Sequence, residues 1–175
     1  MNILSVPKYS RQVCAVILVG TLLAGVRECD AQVSSVEART LREFHQTLIA
    51  NIRAAQIARS RAWSRTVRRV ADNAAFDLRD TRSNIESVAR RNRISLTSSM
   101  SSSGRSLVNR ISTAPGSSFD RIYLDNTTIQ MRWLQRTAQN GSRTARSPSL
   151  RSAYSRSIPV FNRITSDARR AQIRW

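Results

Sequence analysis

The sequence predicts an all-α protein built as an antiparallel four-helix bundle. Apolar residues recur at spacings of three and four along four long stretches, which is the period of an amphipathic helix. No stretch alternates between apolar and polar residues for long enough to form a strand. The loops between the four stretches are of modest length, which favours antiparallel neighbours.

Residues 1–31 are predicted to be a secretory signal. They combine basic Lys8 and Arg11, an apolar run over residues 14–26, and small Ala31 just before the expected cleavage point. The run is shorter than the roughly 20 residues that cross a bilayer, so an uncleaved anchor is the weaker alternative. We expect an exported protein, periplasmic or secreted, with a single mature domain over residues 32–175 and no transmembrane helix in it.

The mature chain is strongly basic, and it contains no cysteine because Cys14 and Cys29 precede the cleavage point. Three of the 29 cationic residues and two of the 11 acidic residues lie in the signal, which leaves 26 arginines, nine carboxylates and a net charge of +17. A GC-rich genome explains arginine in place of lysine, but it does not explain the imbalance. We therefore expect attraction to polyanions, because guanidinium groups bind phosphates and carboxylates bidentately.

Two amphipathic helices are predicted first. Ser34 and Glu37 have the spacing of a capping box, and helix one is expected from Val36 to Ala58. Its apolar stripe is Leu41, Phe44, Leu48, Ile52 and Ala55. The stripe of helix two is interrupted by neither glycine nor proline and consists of Val67, Ala71, Ala74, Leu78, Ile85 and Val88.

A serine-rich segment, residues 95–106, separates helices two and three. This composition buries little apolar surface, so it predicts a mobile loop. A short turn of helix around Leu107, Val108 and Ile111 is expected next, before Pro115 and Gly116 break the chain.

Helix three is predicted to begin after Ser117 or Ser118 as its N-cap, with Asp120 in its positive first turn. Asn140 and Gly141 are expected to end it. The side chains predicted to face inward are Phe119, Tyr123, Thr127, Gln130 and Leu134.

Helix four is predicted to begin at the Ser147 and Pro148 pair. Pro159 lies inside it, and we expect a kink because an interior proline clashes with the carbonyl four residues earlier, here that of Ser155. The apolar stripe of this helix is Leu150, Tyr154, Ser157, Phe161, Ile164 and Ala168.

Three motifs suggest a family. Residues 119–124 read Phe-Asp-Arg-Ile-Tyr-Leu, residues 158–160 read Ile-Pro-Val, and residues 51–58 read Asn-Ile-Arg-Ala-Ala-Gln-Ile-Ala. Together they resemble the bacterial envelope family known as domain of unknown function 4142, and the similarity extends from about Leu41 to Ala171. The resemblance implies that the bundle is ferritin-like.

The resemblance also implies where a metal site would lie. Members usually carry an Asp-His pair in helix two, a histidine in helix three, another after the proline of helix four, and a glutamate in helix one. In this chain Asp77 keeps the acid, whereas the other four positions hold Asn51, Leu78, Met131 and Ile164. No Glu-x-x-His pair of the kind used by ferritin-like di-metal sites is present. We therefore expect a divergent member without metal or other cofactor.

The densest basic stretch is predicted near the joint between helices one and two, and it comprises Arg59, Arg61, Arg65, Arg68 and Arg69 around Trp63. It is the best candidate for anion binding, and the alternative is an ordinary solvated helical face. Trp63, Trp133 and Trp175 are expected to be core residues rather than stacking platforms.

The remaining titratable residues do not indicate catalysis. His45, the only histidine, does not share a helical face with Glu43 and is expected at the surface or at the edge of the bundle. Asp77 and Asp80 are expected to form solvated ion pairs with neighbouring arginines on helix two. No base, nucleophile and orienting group converge in the sequence.

The function we predict is a non-enzymatic, exported helical bundle that binds anionic envelope components, such as lipid headgroups or polyanionic saccharides, or an acidic partner protein. A ferritin-like metal-binding or redox protein is the alternative. Nucleic acid is a further ligand that the charge allows without any specific motif. The sequence does not decide the oligomeric state.

Overall fold

The computed structural model describes residues 33–173 and confirms the all-α prediction, because five α-helices and no strand occur in that range. The helices are α1 (Ser35–Arg61), α2 (Arg65–Arg91), α3 (Ser102–Ser112), α4 (Gly116–Thr144) and α5 (Pro148–Ile173). The predicted signal, residues 1–31, and Trp175 lie outside the described residues. None of the helices in residues 33–173 is both long and apolar enough to cross a membrane.

The start of α1 has the predicted capping box. The Glu37 N–H donates to Ser34 Oγ at 3.2 Å, and the Ser34 N–H donates to Glu37 Oε2 at 2.7 Å. The helix continues one turn beyond the predicted end, to Arg61. Ser64 then caps α2, because its hydroxyl oxygen accepts the N–H of Thr66 at 3.2 Å.

The end of α2 is a Schellman motif that contains arginine where glycine is usual. The Ile94 N–H donates to the Ala89 carbonyl at 2.9 Å, and the Arg93 N–H donates to the Arg90 carbonyl at 3.1 Å. Arg93 has a φ of 55°, in the left-handed region. Ile94 is buried and supplies the hydrophobic contact that commonly accompanies this motif.

The prediction of a loop over residues 95–106 is wrong in its second half, because α3 begins at Ser102. The Ser101 hydroxyl accepts the N–H of Gly104 at 3.1 Å, so this serine acts as a helix cap. Leu107 and Ile111 bury the inner face of α3. A cap and two apolar residues one turn apart are therefore enough to order half of a polar segment.

Both predicted boundaries of helix three are corrected. Neither Ser117 nor Ser118 is the N-cap, because α4 begins at Gly116 after Pro115 and its N-cap makes no side-chain hydrogen bond. Asp120 therefore lies beyond the first turn. At the other end, the helix runs through Asn140 and Gly141 as far as Thr144.

Helix four was predicted to begin at Ser147 and Pro148, and α5 does begin at Pro148. The helix is continuous through Pro159. The buried Ser147 donates from its hydroxyl to Asn92 Oδ1 at 2.8 Å, which ties the start of α5 to the end of α2.

The four long helices pack in neighbouring pairs. Turns of three residues, 62–64 and 145–147, join α1 to α2 and α4 to α5, and each joined pair packs together. Helix α2 also packs on α5, α1 on α4, and α3 on both α1 and α4. The end of α2 meets the start of α5, where Asn92 Nδ2 donates to Ser149 Oγ at 2.9 Å. The start of α1 meets the end of α4, where the Arg146 N–H donates to the Glu37 carboxylate.

In the part of the chain that the structure describes, the buried apolar side chains form two clusters. One is centred on Phe44, whose ring makes edge contacts with Tyr154 at 5.3 Å and Phe161 at 5.8 Å between centroids. The other lies where α3 joins the fold and includes Phe119 and Tyr123. The second cluster lies behind the α1–α2 turn, where the sequence predicted the anion-binding residues.

Candidate functional site

The predicted basic residues surround the turn between α1 and α2. We call this region the turn surface, and it comprises Arg59, Arg61, Trp63, Arg65, Arg68 and Arg69. All six residues are exposed. Because the arginines occupy the last turn of α1 and the first two turns of α2, their charges lie together at one end of the helix pair.

Three of these arginines have partners inside the protein. Arg61 donates to the carbonyls of Ser112 and Ala114, the latter at 3.0 Å, and its guanidinium lies 5.0 Å from the centroid of the Phe119 ring. Arg61 therefore holds the α3–α4 connection against the turn. Its role is structural, which the sequence did not indicate.

Arg68 and Arg59 each have one partner within the protein. Arg68 donates to the carbonyl of Ala62 at 3.3 Å, and Arg59 lies 3.4 Å from the Asp72 carboxylate. Arg65 and Arg69 have no hydrogen-bonded or ionic partner among residues 33–173. These two arginines contribute charge that the rest of the described fold does not neutralise.

Trp63 is 75% exposed, so the prediction that it belongs to the core is wrong. The backbone N–H of Trp63 donates to Asp120 Oδ1 at 3.0 Å, and the backbone N–H of Ser64 donates to Asp120 Oδ2 at 2.8 Å. Asp120 is itself buried, so its carboxylate fixes the turn from below. The indole lies beside Gly116, where an added Cβ would be 3.2 Å from the indole nitrogen. Trp63 is thus an exposed aromatic residue on a fixed backbone.

Trp133 is also more exposed than predicted, at 41%, on the outer face of α4. Helical spacing alone does not separate an inward from an outward tryptophan when the stripe drifts around the helix. Leu134, the next residue, takes the buried position.

His45 is fully buried, which corrects the prediction of a surface or edge position. Its Nε2 lies 2.9 Å from Glu86 Oε1, and Arg82 Nε donates to the same oxygen at 2.8 Å. An ionised carboxylate can only accept, so Nε2 carries the proton of this bond. Nδ1 of His45 is buried and has no partner among residues 33–173.

Two opposing effects set the charge of Glu86. Partial burial would raise the pKa of its carboxyl, but the hydrogen bonds from His45 and Arg82 outweigh burial and lower the pKa below 4.5. Glu86 therefore stays ionised at neutral pH and links α1 to α2. A cleft of about 300 Å³ adjoins this pair beneath residues 94–98. No local sequence pattern indicates this pair, because His45 and Glu86 lie 41 residues apart.

The five positions that the family resemblance singled out lie inside or close to the interior. Leu78, Met131 and Ile164 are buried in one apolar cluster. Asn51 is also buried and donates from Nδ2 to the Thr47 carbonyl at 2.8 Å. Asp77 was predicted to pair with an arginine of its own helix, and this prediction is wrong. Its carboxylate pairs instead with Arg163 of α5 at 2.8 Å.

A metal site of three or more carboxylate, imidazole or thiolate ligands does not occur in the part of the chain that the structure describes. At the positions singled out above, burial of apolar side chains contributes roughly 1.5 to 3 kcal/mol for each leucine, methionine or isoleucine. The side chains at the centre of the described fold are therefore suited to packing.

Comparison with known proteins identifies a family. A family model described as Domain of unknown function (DUF4142) matches residues 24–171. We found no match to the chain among curated proteins or among solved structures. The resemblance inferred from the three sequence motifs is confirmed by the family match.

Proposed function

The chain belongs to the family Domain of unknown function 4142, and we propose that it is a non-enzymatic, exported member that binds anionic lipid surfaces of the bacterial envelope through its turn surface. The observation that carries this proposal is the exposure of Trp63 among five arginines on a fixed turn. Residues 1–31 would direct export and lie outside the described residues.

The chemistry of the turn surface suits a lipid headgroup region. An indole ring is amphipathic and accumulates at the boundary between water and lipid. Arginine binds phosphate bidentately, while its aliphatic stem can lie along apolar surface. Arg65 and Arg69 meet these needs best, because neither has a partner among residues 33–173.

The fixed backbone of the turn supports the same proposal. Asp120 holds the N–H groups of Trp63 and Ser64, and Arg61 holds two carbonyls of the α3–α4 connection. A binding surface that is already ordered loses less conformational entropy when it binds. Arg61 and Asp120 thus stabilise the backbone of the turn surface and need not contact the lipid.

We further infer that the four long helices form a ferritin-like antiparallel bundle. The contacts at the helix ends support this, because they are the contacts expected when α1 runs antiparallel to α2 and α4, and α2 runs antiparallel to α5. Residues 92–115, with α3 inside them, would be the long crossover that ferritin-like bundles contain.

We also infer that the bundle is a scaffold without metal, in which Asn51, Leu78, Met131 and Ile164 replace the ligands usual in the family. Burial of the last three in one apolar cluster supports this inference. The alternative, a metal or redox protein with ligands elsewhere, is tested by elemental analysis of the purified protein. Stoichiometric iron, manganese or copper would overturn the inference.

Vesicle sedimentation tests lipid binding. The wild-type protein should bind vesicles of phosphatidylglycerol and phosphatidylcholine, bind pure phosphatidylcholine vesicles poorly, and dissociate as salt rises. Changing both Arg65 and Arg69 to Gln should weaken binding roughly 30-fold, since each arginine near an anionic surface contributes about 1 kcal/mol. The same change at exposed Arg132 and Arg136 of α4 provides a control with equal charge.

Tryptophan fluorescence provides an independent readout. Addition of anionic vesicles should shift the emission to shorter wavelength, and Trp63→Phe should remove most of the shift while Trp133→Phe retains it. Equal binding to neutral vesicles, or equal losses in the Arg132 and Arg136 control, would contradict the proposal.

A further inference from the structure

A polar groove is lined by residues of α2 and α5 together with Arg59 of α1, and it adjoins the turn surface. Two adjoining clefts of about 310 and 610 Å³ form it, and they share Asn73 and Asp167. On α2 it extends from Thr66 to Arg79, roughly 20 Å at 1.5 Å per residue. We call this region the α2–α5 groove.

Most charged side chains of the groove form pairs of arginine and aspartate. Asp72 pairs with Arg59, Asp77 with Arg163, and Asp167 with Arg170. Arg69 and Arg79 also line the groove, and neither has a carboxylate partner among residues 33–173. The groove thus offers both hydrogen-bond donors and acceptors, with an excess of two positive charges.

An aromatic ring lies among these charges. Phe76 of α2 is 72% exposed and lines the groove between Asp72 and Arg79. A helix inside a folded domain normally buries its aromatic residues, and the buried stripe of α2 runs through Ala74, Ala75 and Leu78 instead. Within the described residues 33–173, packing therefore does not explain a large apolar side chain at position 76.

We propose that the α2–α5 groove binds an acidic oligosaccharide, a chain of sugars that carry carboxylates. Sugar hydroxyls both donate and accept hydrogen bonds, which matches the alternation of arginine, aspartate and Asn73. The apolar C–H face of a sugar ring can lie on Phe76. The carboxylates of the sugar pair with Arg69 and Arg79.

The three aspartates favour this ligand over a densely charged polyphosphate such as a nucleic acid. A phosphate on every unit would approach Asp72, Asp77 and Asp167 closely, and like charges repel. A saccharide with one carboxylate per ring can place hydroxyl donors against the aspartates. The groove shares Arg59 and Arg69 with the turn surface, whereas Phe76 and Arg79 belong to the groove alone. Substitutions at Phe76 and Arg79 therefore test saccharide binding independently of lipid binding.

Calorimetric titration tests the proposal on protein purified after expression of the full chain. The three ligands are oligogalacturonate, a neutral oligosaccharide of equal length, and a polyphosphate of equal charge. The wild type should bind oligogalacturonate more tightly than the neutral chain. Phe76→Ala should weaken oligogalacturonate binding roughly two- to tenfold, the range of an aromatic contact, and should leave polyphosphate binding unchanged. Arg79→Gln should weaken both.

The matched control is Ile129→Ala, because Ile129 is an exposed apolar residue of α4 outside the groove. It should leave all three affinities unchanged. Absence of oligogalacturonate binding by the wild type would overturn the proposal, as would equal losses in Phe76→Ala and Ile129→Ala. Tight polyphosphate binding together with no effect of Phe76→Ala on either anion would also overturn it. Lipid binding is measured separately, so either proposal can fail alone.

Discussion

Gly141 of α4 lies directly against the ring of Tyr154 of α5. A Cβ added at residue 141 would lie 2.5 Å from Tyr154 Cε2 and 2.8 Å from Cγ, closer than real Cβ contacts. Tyr154 is buried and touches Phe44 of α1, so the ring cannot move outward freely. Gly141 therefore sets the distance between the last turns of α4 and the first turns of α5.

Gly141→Ala should destabilise the protein by up to about 2 kcal/mol. Alanine stabilises a helix by roughly 1 kcal/mol relative to glycine, but overpacking at a closely packed site costs about 1 to 3 kcal/mol. Urea unfolding followed by circular dichroism measures the change. Asn140→Ala, at the exposed neighbouring position, is the control and should not lower the unfolding midpoint. A Gly141→Ala variant that is more stable than wild type would contradict the prediction, because it would mean that the Tyr154 ring moves aside at little cost.

The sequence predicted the helices well because burial of one helical face leaves a period of three to four residues. It misplaced the end of α4 because an Asn-Gly pair has the same local composition whether it ends a helix or admits a neighbouring ring. The ring that lies against Gly141 belongs to Tyr154 of another helix, so the local composition around Gly141 does not show it. The Schellman end of α2 was missed for a related reason, since Arg93 occupies the position where glycine would have marked it.

The position of the basic stretch could be predicted from the sequence only as far as the stretch is continuous along the chain. The arginines from 59 to 69 lie together because they flank one short turn. The structural role of Arg61 depends on carbonyls 51 and 53 residues away, which no local pattern shows. The same holds for the anchoring of the turn by Asp120 and for the partnership of His45 with Glu86.

Arg93→Gly should stabilise the protein. A non-glycine residue in the left-handed region costs of order 1 kcal/mol or more, and the φ of Arg93 is 55°. The added entropy of glycine in the unfolded chain offsets part of the gain, so we expect about 0.5 to 1 kcal/mol from the urea midpoint. Arg91→Gly, inside the last turn of α2, is the matched change and should destabilise by about 1 kcal/mol. Destabilisation by both changes would contradict the prediction.

The stability of the α1–α2 pair should depend on pH through Glu86. Its pKa is lower in the folded protein than in the unfolded chain, so its contribution is complete above about 4.5 and is lost as the pH falls through the lowered value. Glu86→Gln should therefore be less stable than wild type at pH 7, and the difference should shrink as the pH falls below 4.5. Urea midpoints of both proteins at pH 7, 5, 4 and 3 measure this. Exposed Glu43 provides the control variant Glu43→Gln, and a difference for Glu86→Gln that stays constant with pH would contradict the assignment.

Asp120→Asn should loosen the turn that presents Trp63. The carboxylate accepts two backbone N–H groups, from Trp63 and Ser64, whereas an amide offers one acceptor oxygen and turns its NH₂ group toward the other donor. Because loss of a hydrogen bond to a charged group costs about 1.5 to 3 kcal/mol, the urea midpoint should fall. Faster amide exchange at residues 63 and 64 should accompany the fall. Asp80→Asn, at an exposed position of α2, should change stability by less than about 0.5 kcal/mol. Equal effects of the two changes, with unaltered exchange at the turn, would mean that Asp120 does not anchor Trp63, and the fixed backbone of the turn surface would then need another cause.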